Sequence, residues 1–435
     1  METAADEENM WTKCERAAED LYSIRDTYFP ADPSEKLLKL RSKSEHFINL
    51  LDSIPSEQRK APVQRAKYEF LRGKMLDVVP EYRKEAEDHL SKAVKLNPSF
   101  ADAWLFLGDC MWKKGDLIGA KSCFDLGLSK GPNKSLFRML SMLERSMARE
   151  ANDPEQEIEK SILHAKESVS LDVLDGRSWY NLGNAYLTSF FVHGAWDHSK
   201  LQLCLKAYQN AEKDDRMKST PDLYYNCANA NKYLENYERS LSGYEAAASM
   251  DPGLNADRDI KKMLNLLTQI EKLFKVFGDG NRLKSLPESV PSCSRKQATQ
   301  PSCLPLKNPT FLVDPLDNGL DIHEITKGSK QLTLVGRIVC LVRNENEIPL
   351  YYMLKDFNKT FSILTVYGVH SEAIKEEDLI AITRPRFSNI NFVWKNKEYN
   401  FPSVRVDFPE QLLVNGKAVS SHHSFCSSVV SQLIP

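Results

Sequence analysis

The chain has 435 residues, 42% of them hydrophobic, with a formal net charge of -2. That length allows two or three domains, and that hydrophobic share supports ordinary globular cores. The near-neutral balance excludes a bulk nucleic-acid coat, which needs a large positive field. No run of about 18 apolar residues marks a membrane span. The acidic opening METAADEENM does not read as a secretory leader. Nine cysteines, none in a C-x-x-C pair, point to reduced, intracellular use, so cytoplasm and nucleus are the expected locations.

Residues 8–29 predict an amphipathic helix with Trp11, Ala18, Leu21, Ile24 and Tyr28 on one face. Asp32-Pro33-Ser34 punctuates, and a second helix runs to about Ile54. Together they read as a degenerate capping repeat, residues 1–60, which a solenoid needs to cover its apolar end.

The stretch from Ala101 to Pro132 sets the pattern for residues 61–277. Trp104, Leu107, Gly108, Ala120, Phe124, Gly127 and Pro132 have the spacing of a tetratricopeptide repeat, a helix–turn–helix unit of about 34 residues. Trp104, Leu107 and Met111 share one helix face. Gly108 lets the second helix approach closely, and Asp116 is placed to cap that helix. Phe70, Ala86, Leu90, Ala93 and Pro98 repeat the register upstream. Downstream come Trp179, Leu182, Gly183, Tyr186, Cys204, Tyr208 and Ala211, with the second helix displaced by about nine residues. The displaced segment, TSFFVHGAWDHSK, reads as a surface loop. A further unit has Tyr224, Ala228, Ser240, Tyr244 and Pro252, and a weaker one has Leu136, Leu140, Leu143, Ile162, Ala165 and Val169. Residues 257–277 predict one more amphipathic helix, the closing cap.

Residues 278–306 are rich in Ser, Pro and Gly and read as a flexible linker. Residues 307–420 change to alternating periodicity. QLTLVGRIVCLVR, IPLYYMLKD, FSILTVYGV, EDLIAITRP and YNFPSVRVDFPEQLLV predict five or six strands, hence a small barrel of the oligonucleotide/oligosaccharide-binding (OB) type or a small sandwich. Residues 421–435 read as a disordered tail. The fold class is therefore an α-helical repeat solenoid followed by a small all-β, OB-fold-like barrel.

No phosphate loop, nucleophile elbow or zinc-protease helix is present, so no catalytic activity and no cofactor are expected. His193, Asp197 and His198 cluster without a further clear ligand, and His422-His423 lies in the tail, so no metal site is read. In the barrel, Tyr351, Tyr352, Phe361, Tyr367, Phe387, Phe392, Trp394 and Tyr399 either fill the interior, the preferred reading, or stack on single-stranded nucleic acid beside Arg384, Arg386, Lys395 and Lys397.

Recognition is more legible. The first helices of stacked repeats line a concave groove. By repeat position, Arg177, Tyr180, Asn181, Asn184 and Leu187 face it from one unit, and Asp222, Tyr225, Asn226, Asn229 and Lys232 from the next. The weak unit offers Arg145 and Arg149, one turn apart. Arg can hold a carboxylate bidentately, Asp can hold an arginine or an amine, and Asn can bond a peptide backbone. The expected ligand is an extended peptide of mixed charge.

The degenerate start, the repeats, the insertion after DGRSWYNLGNAYL, SKAVKLNP, and the C-terminal SVRVDFPEQLLVNGK together resemble the tetratricopeptide repeat protein 5 family. The resemblance implies an adaptor that recognises the N-terminal Met-Arg-Glu-Ile-type peptide of nascent tubulin at the ribosome and promotes tubulin mRNA decay through a decay adaptor. It implies that Arg145, in LSMLER, meets the peptide's Glu, and that Asp222, in PDLYYN, meets its Arg. It also implies that the linker residues Arg282 and Lys284 face ribosomal RNA. A second implied role is a nuclear scaffold for stress-responsive transcription, with coactivator and acetyltransferase partners. A chaperone-linked co-chaperone is a third reading. Asn181 and Asn184 fit its carboxylate clamp, but the clamp's lysine pattern is missing.

Overall fold

The structure is a computed structural model describing residues 10–193, 197–278, 333–342 and 349–419. Six antiparallel helix pairs come first: α1 (Met10–Thr27) with α2 (Pro33–Asp52), α3 (Pro62–Leu76) with α4 (Lys84–Leu96), α5 (Ala101–Lys113) with α6 (Leu117–Leu128), α7 (Lys134–Met147) with α8 (Pro154–Leu171), α9 (Gly176–Val192) with α10 (His198–Ala211), and α11 (Pro221–Tyr233) with α12 (Tyr237–Met250). The helix α13 (Ala256–Gly278) follows. The helices begin where polar side chains can satisfy free amides. Asp32 caps α2, Asp116 accepts from Gly119 N at the start of α6, and Asn133 accepts from Ser135 N and Leu136 N at the start of α7.

Two of the pairs, α5–α6 and α9–α10, are locked by an inward ring. A Cβ on Gly108 would lie 2.3 Å from Phe124 Cε1, and one on Gly183 would lie 2.4 Å from Tyr208 Cε1. Both rings are almost fully buried. The same register explains the half-buried tryptophans. Trp104 Nε1 donates to Pro98 O and Trp179 Nε1 to Val173 O, each at 2.9 Å, tying the first helix to the loop before it.

The insertion corrects the loop expectation. Instead of looping out after Leu187, α9 continues to Val192 and buries Phe190 and Phe191. Phe191 meets Tyr233 of α11 edge-on at 4.9 Å, and His198, itself buried, meets Phe190 at 5.8 Å. Two adjacent phenylalanines are too apolar to leave in water.

The chain falls into two compact units, mainly the helices as far as Ile260 and the residues from Lys261 through the strands. The division lies inside α13. Its first turn stays with the repeats, where Asp259 accepts from Tyr225 Oη at 3.0 Å. Its later turns pack on strands. Phe274 stacks on Phe401 at 6.2 Å, Phe277 on Phe361 at 5.7 Å, and Glu271 pairs with Lys397 at 2.6 Å.

The strands are β1 (Thr333–Val342), β2 (Leu350–Asp356), β3 (Phe361–Val366), β4 (Leu379–Thr383), β5 (Arg386–Trp394), β6 (Lys397–Val406), β7 (Leu412–Val414) and β8 (Lys417–Ala418). They form one sheet in the order β5-β6-β3-β2-β1-β4-β7-β8, antiparallel except for the parallel pair β3–β6. Eight strands exceed the five or six expected. The unforeseen β5 has polar residues on its open face and turns into β6 through Lys395 and Asn396, both with positive φ, without the usual glycine. Tyr351, Tyr352, Tyr367, Phe392 and Tyr399 are buried, while Phe361, Phe387 and Trp394 are half-buried.

The helix interlock predicts that Gly108→Ala destabilises the repeats by about 1–3 kcal/mol, because overpacking a buried ring outweighs the usual helix gain of alanine over glycine. Urea denaturation of the full chain measures it. A raised midpoint would contradict the interlock.

Candidate functional site

The first helices α7, α9 and α11 place most of the sequence-predicted groove residues together. Their chemistry is set by which partners each one already has.

Arg145 lies in the last turn of α7. Its three hydrogen bonds all leave from Nη1, to Asn181 Oδ1 at 2.9 Å, Ser141 Oγ at 3.3 Å and Asn181 O at 3.4 Å. All three acceptors are neutral. Among the described residues no carboxylate lies within ion-pair distance, and nothing bonds Nε or Nη2. That unbonded edge is the one that grips a carboxylate with two parallel bonds. Burial pulls the guanidinium pKa down to about 10, against the nearby Tyr208, Tyr180 and Glu144. It stays charged at neutral pH.

Asp222, in the first turn of α11, is the opposite charge. Its side chain is exposed, yet the protein around it removes part of its hydration. That burial, with the neighbouring Asp251, raises its pKa above the ordinary carboxylate value, while Lys36 works in the other direction. No cation lies within ion-pair distance of it among the described residues. Tyr180 feels both charges. Its phenol is raised first by burial and then by Asp222, and lowered by Arg145.

The asparagines form the floor. Asn226 Nδ2 donates to Tyr180 Oη at 3.0 Å and to Asn184 Oδ1 at 3.3 Å, and Tyr208 Oη donates to Asn184 Oδ1 at 2.7 Å. The next repeat copies this contact, with Tyr244 Oη donating to Asn229 Oδ1 at 2.6 Å. Tyr225 packs on Tyr244 at 5.4 Å. These amides are already engaged and act chiefly as a preorganised polar surface.

Three expectations shift. Arg149 is not one helical turn from Arg145, because α7 ends at Met147 and Arg149 lies in the following turn. Leu187 is fully buried and lines no groove, since α9 continues past it into the core. Arg177 is half exposed but is bonded to Asp26 Oδ2 of α1 at 3.1 Å. Arg282 and Lys284 lie outside the described residues. Ser141, Tyr208 and Asp26 take part without having been singled out for the groove. Tyr208 was legible only as a packing ring, and Asp26 is 151 residues from Arg177. No helix among the described residues is long and apolar enough to cross a membrane, and no group of three or more His, Cys, Asp or Glu is placed among them to hold a metal.

The start of α9, which carries Arg177, Tyr180 and Asn181, is pinned by Asp214. Its carboxylate accepts from Gly176 N at 3.0 Å and from Arg216 Nη2 at 2.7 Å. The Arg216 hydrogen bonds and the amides hold its pKa well below the usual range. A depressed pKa means that the stabilisation is complete above the unfolded value near 3.9 and fades as pH falls toward the folded one. Asp214→Asn should cost about 1–3 kcal/mol at pH 6, with the deficit shrinking at pH 3. Urea titrations at both pH values check this. A deficit larger at pH 3 would contradict it.

Comparison with known proteins fits this architecture. Residues 319–428 match the family model described as the tetratricopeptide repeat protein 5 OB fold domain. The chain is 33% identical to tetratricopeptide repeat protein 5 of Homo sapiens over 441 residues, covering 97% of this chain and 96% of that protein. It is also 33% identical to the Mus musculus protein, covering 98% and 99%. Among solved structures, the Cut9–Hcn1 hetero-tetramer of the APC/C is similar with a TM-score of 0.42 and 17% identity, over 60% of this chain and 43% of that one. With a third of its residues shared end to end with the human and mouse proteins, the chain belongs to the tetratricopeptide repeat protein 5 family.

Proposed function

We propose that this repeat adaptor reads the N-terminal Met-Arg-Glu-Ile-type peptide of nascent tubulin as it leaves the ribosome, and that capture promotes decay of the tubulin mRNA through a recruited decay adaptor. The supporting observation is a pair of opposite charges that both act on Tyr180, Arg145 with an unbonded bidentate edge and Asp222 with no cation in ion-pair contact among the described residues. An arginine followed by a glutamate, beside a free amine, is complementary to that pair. The LSMLER and PDLYYN stretches, which carry these two residues, support the same reading. The protein acts as a binding scaffold in the cytoplasm, and no step of this role asks it for bond chemistry.

Calorimetry of the full chain with a free-amine Met-Arg-Glu-Ile peptide tests the reading. Binding should be lost in Asp222→Arg and in Arg145→Glu, each removing a charge-assisted contact worth at least about 1.5–3 kcal/mol. Because the pKa of Asp222 is raised, affinity should begin to fall at a higher pH than an ordinary carboxylate would allow. Binding that survives both charge reversals would refute the reading.

A further inference from the structure

We infer that Asn181 is the positioning residue of this groove, and that its neutrality is what leaves the charge of Arg145 available to a ligand carboxylate. The inference rests on the peptide-reading function proposed above and explains how its anion subsite is built.

Asn181 is only 2% exposed, on α9. Its Oδ1 takes the shortest bond that Arg145 makes, at 2.9 Å, and its own carbonyl oxygen takes a second at 3.4 Å. The third acceptor, Ser141 Oγ, is itself fixed from α8, with Ser161 Oγ at 2.9 Å and Ser161 donating to Ser141 O at 2.8 Å. Three helices therefore hold one edge of the guanidinium. The nearest acidic side chain, Glu144, is turned to His164 at 2.8 Å and to Lys121 at 3.6 Å, so it does not pair with Arg145.

Asn181 holds this position at a cost. Its Nδ2 is buried with no hydrogen-bond partner. Flipping the amide would not help, because the donor would then face the guanidinium. A buried orphan donor is unfavourable, and native structures keep few of them. An aspartate at this position would exchange the orphan amide for an unpaired carboxylate oxygen and would form an ion pair that neutralises the arginine. The amide is the group that can fix the fork without satisfying its charge.

Two variants of the full chain separate positioning from folding. Asn181→Leu removes the acceptor and the orphan, and Asn181→Asp supplies an internal counterion. Each is titrated by calorimetry with free-amine Met-Arg-Glu-Ile and with Met-Arg-Gln-Ile, in which only the charge is removed. The unaltered protein should prefer the Glu peptide by roughly tenfold or more, the range of a charge-assisted contact. In both variants that preference should collapse to within about threefold, with the Gln-peptide affinity changing less than the Glu-peptide affinity and the full chain still unfolding cooperatively in urea. A preserved Glu preference in both variants overturns the inference alone. Equal losses for both peptides with a lowered midpoint would mark Asn181 as merely structural and also overturn it. Failure of the unaltered protein to bind either peptide overturns the groove reading itself.

Discussion

The close approach of paired helices is the constraint on which the repeat unit depends. Gly108 and Gly183 leave space that only an inward ring fills, Phe124 in one pair and Tyr208 in the other. This contact sets the spacing of these two helix pairs, with Leu90 against Gly73 playing the same part between α3 and α4, and stacked repeats bring their first helices side by side. The two rings are not equivalent. Tyr208 fills the same place as Phe124 but carries a hydroxyl that reaches Asn184, and Tyr244 does the same for Asn229. In these repeats the packing residue is also hydrogen-bonded to an asparagine of the facing first helix.

A contrast in charge pairing separates structure from recognition. Arg138 meets Asp175 at 3.2 Å, Lys113 meets Asp77 at 2.8 Å and Lys134 meets Asp172 at 2.6 Å. Those cations hold helices and loops together. Arg145 is as firmly held, but by neutral oxygens, and Asp222 is left beside a second acid. Burying part of a charge without a counterion costs free energy. A ligand that supplies both counterions recovers it, which makes such a groove selective for charge order as well as for shape.

Most of the repeat architecture was legible because its signal is periodic. Gly183 and Tyr208 stand nine residues further apart than Gly108 and Phe124, and the sequence showed that offset directly. It did not show that the extra residues lengthen α9, because Phe190 and Phe191 find their partners on α10 and α11, outside the local pattern. Strand β5 was hidden for a related reason: it alternates only in its second half, where Ile390 and Phe392 are buried between exposed neighbours, and its first half is defined by pairing with β6. Repeat position brought Arg145, Tyr180, Asn181, Asn184, Asp222 and Asn226 into view as neighbours on three first helices. It placed Arg149 on a helix that had already ended and gave no sign that Asp26 reaches Arg177, since nothing local records a contact between α1 and α9.

The central claim is that the groove reads the order of charges in its peptide, and a reciprocal charge swap tests it most directly. Calorimetry would pair the Arg145→Glu variant with a Met-Arg-Lys-Ile peptide and the Asp222→Arg variant with Met-Glu-Glu-Ile. Each variant should regain binding only with its matched peptide, and the unaltered protein should bind neither. Equal binding of matched and mismatched peptides, or no rescue by either swap while the unaltered protein binds Met-Arg-Glu-Ile, would contradict the account.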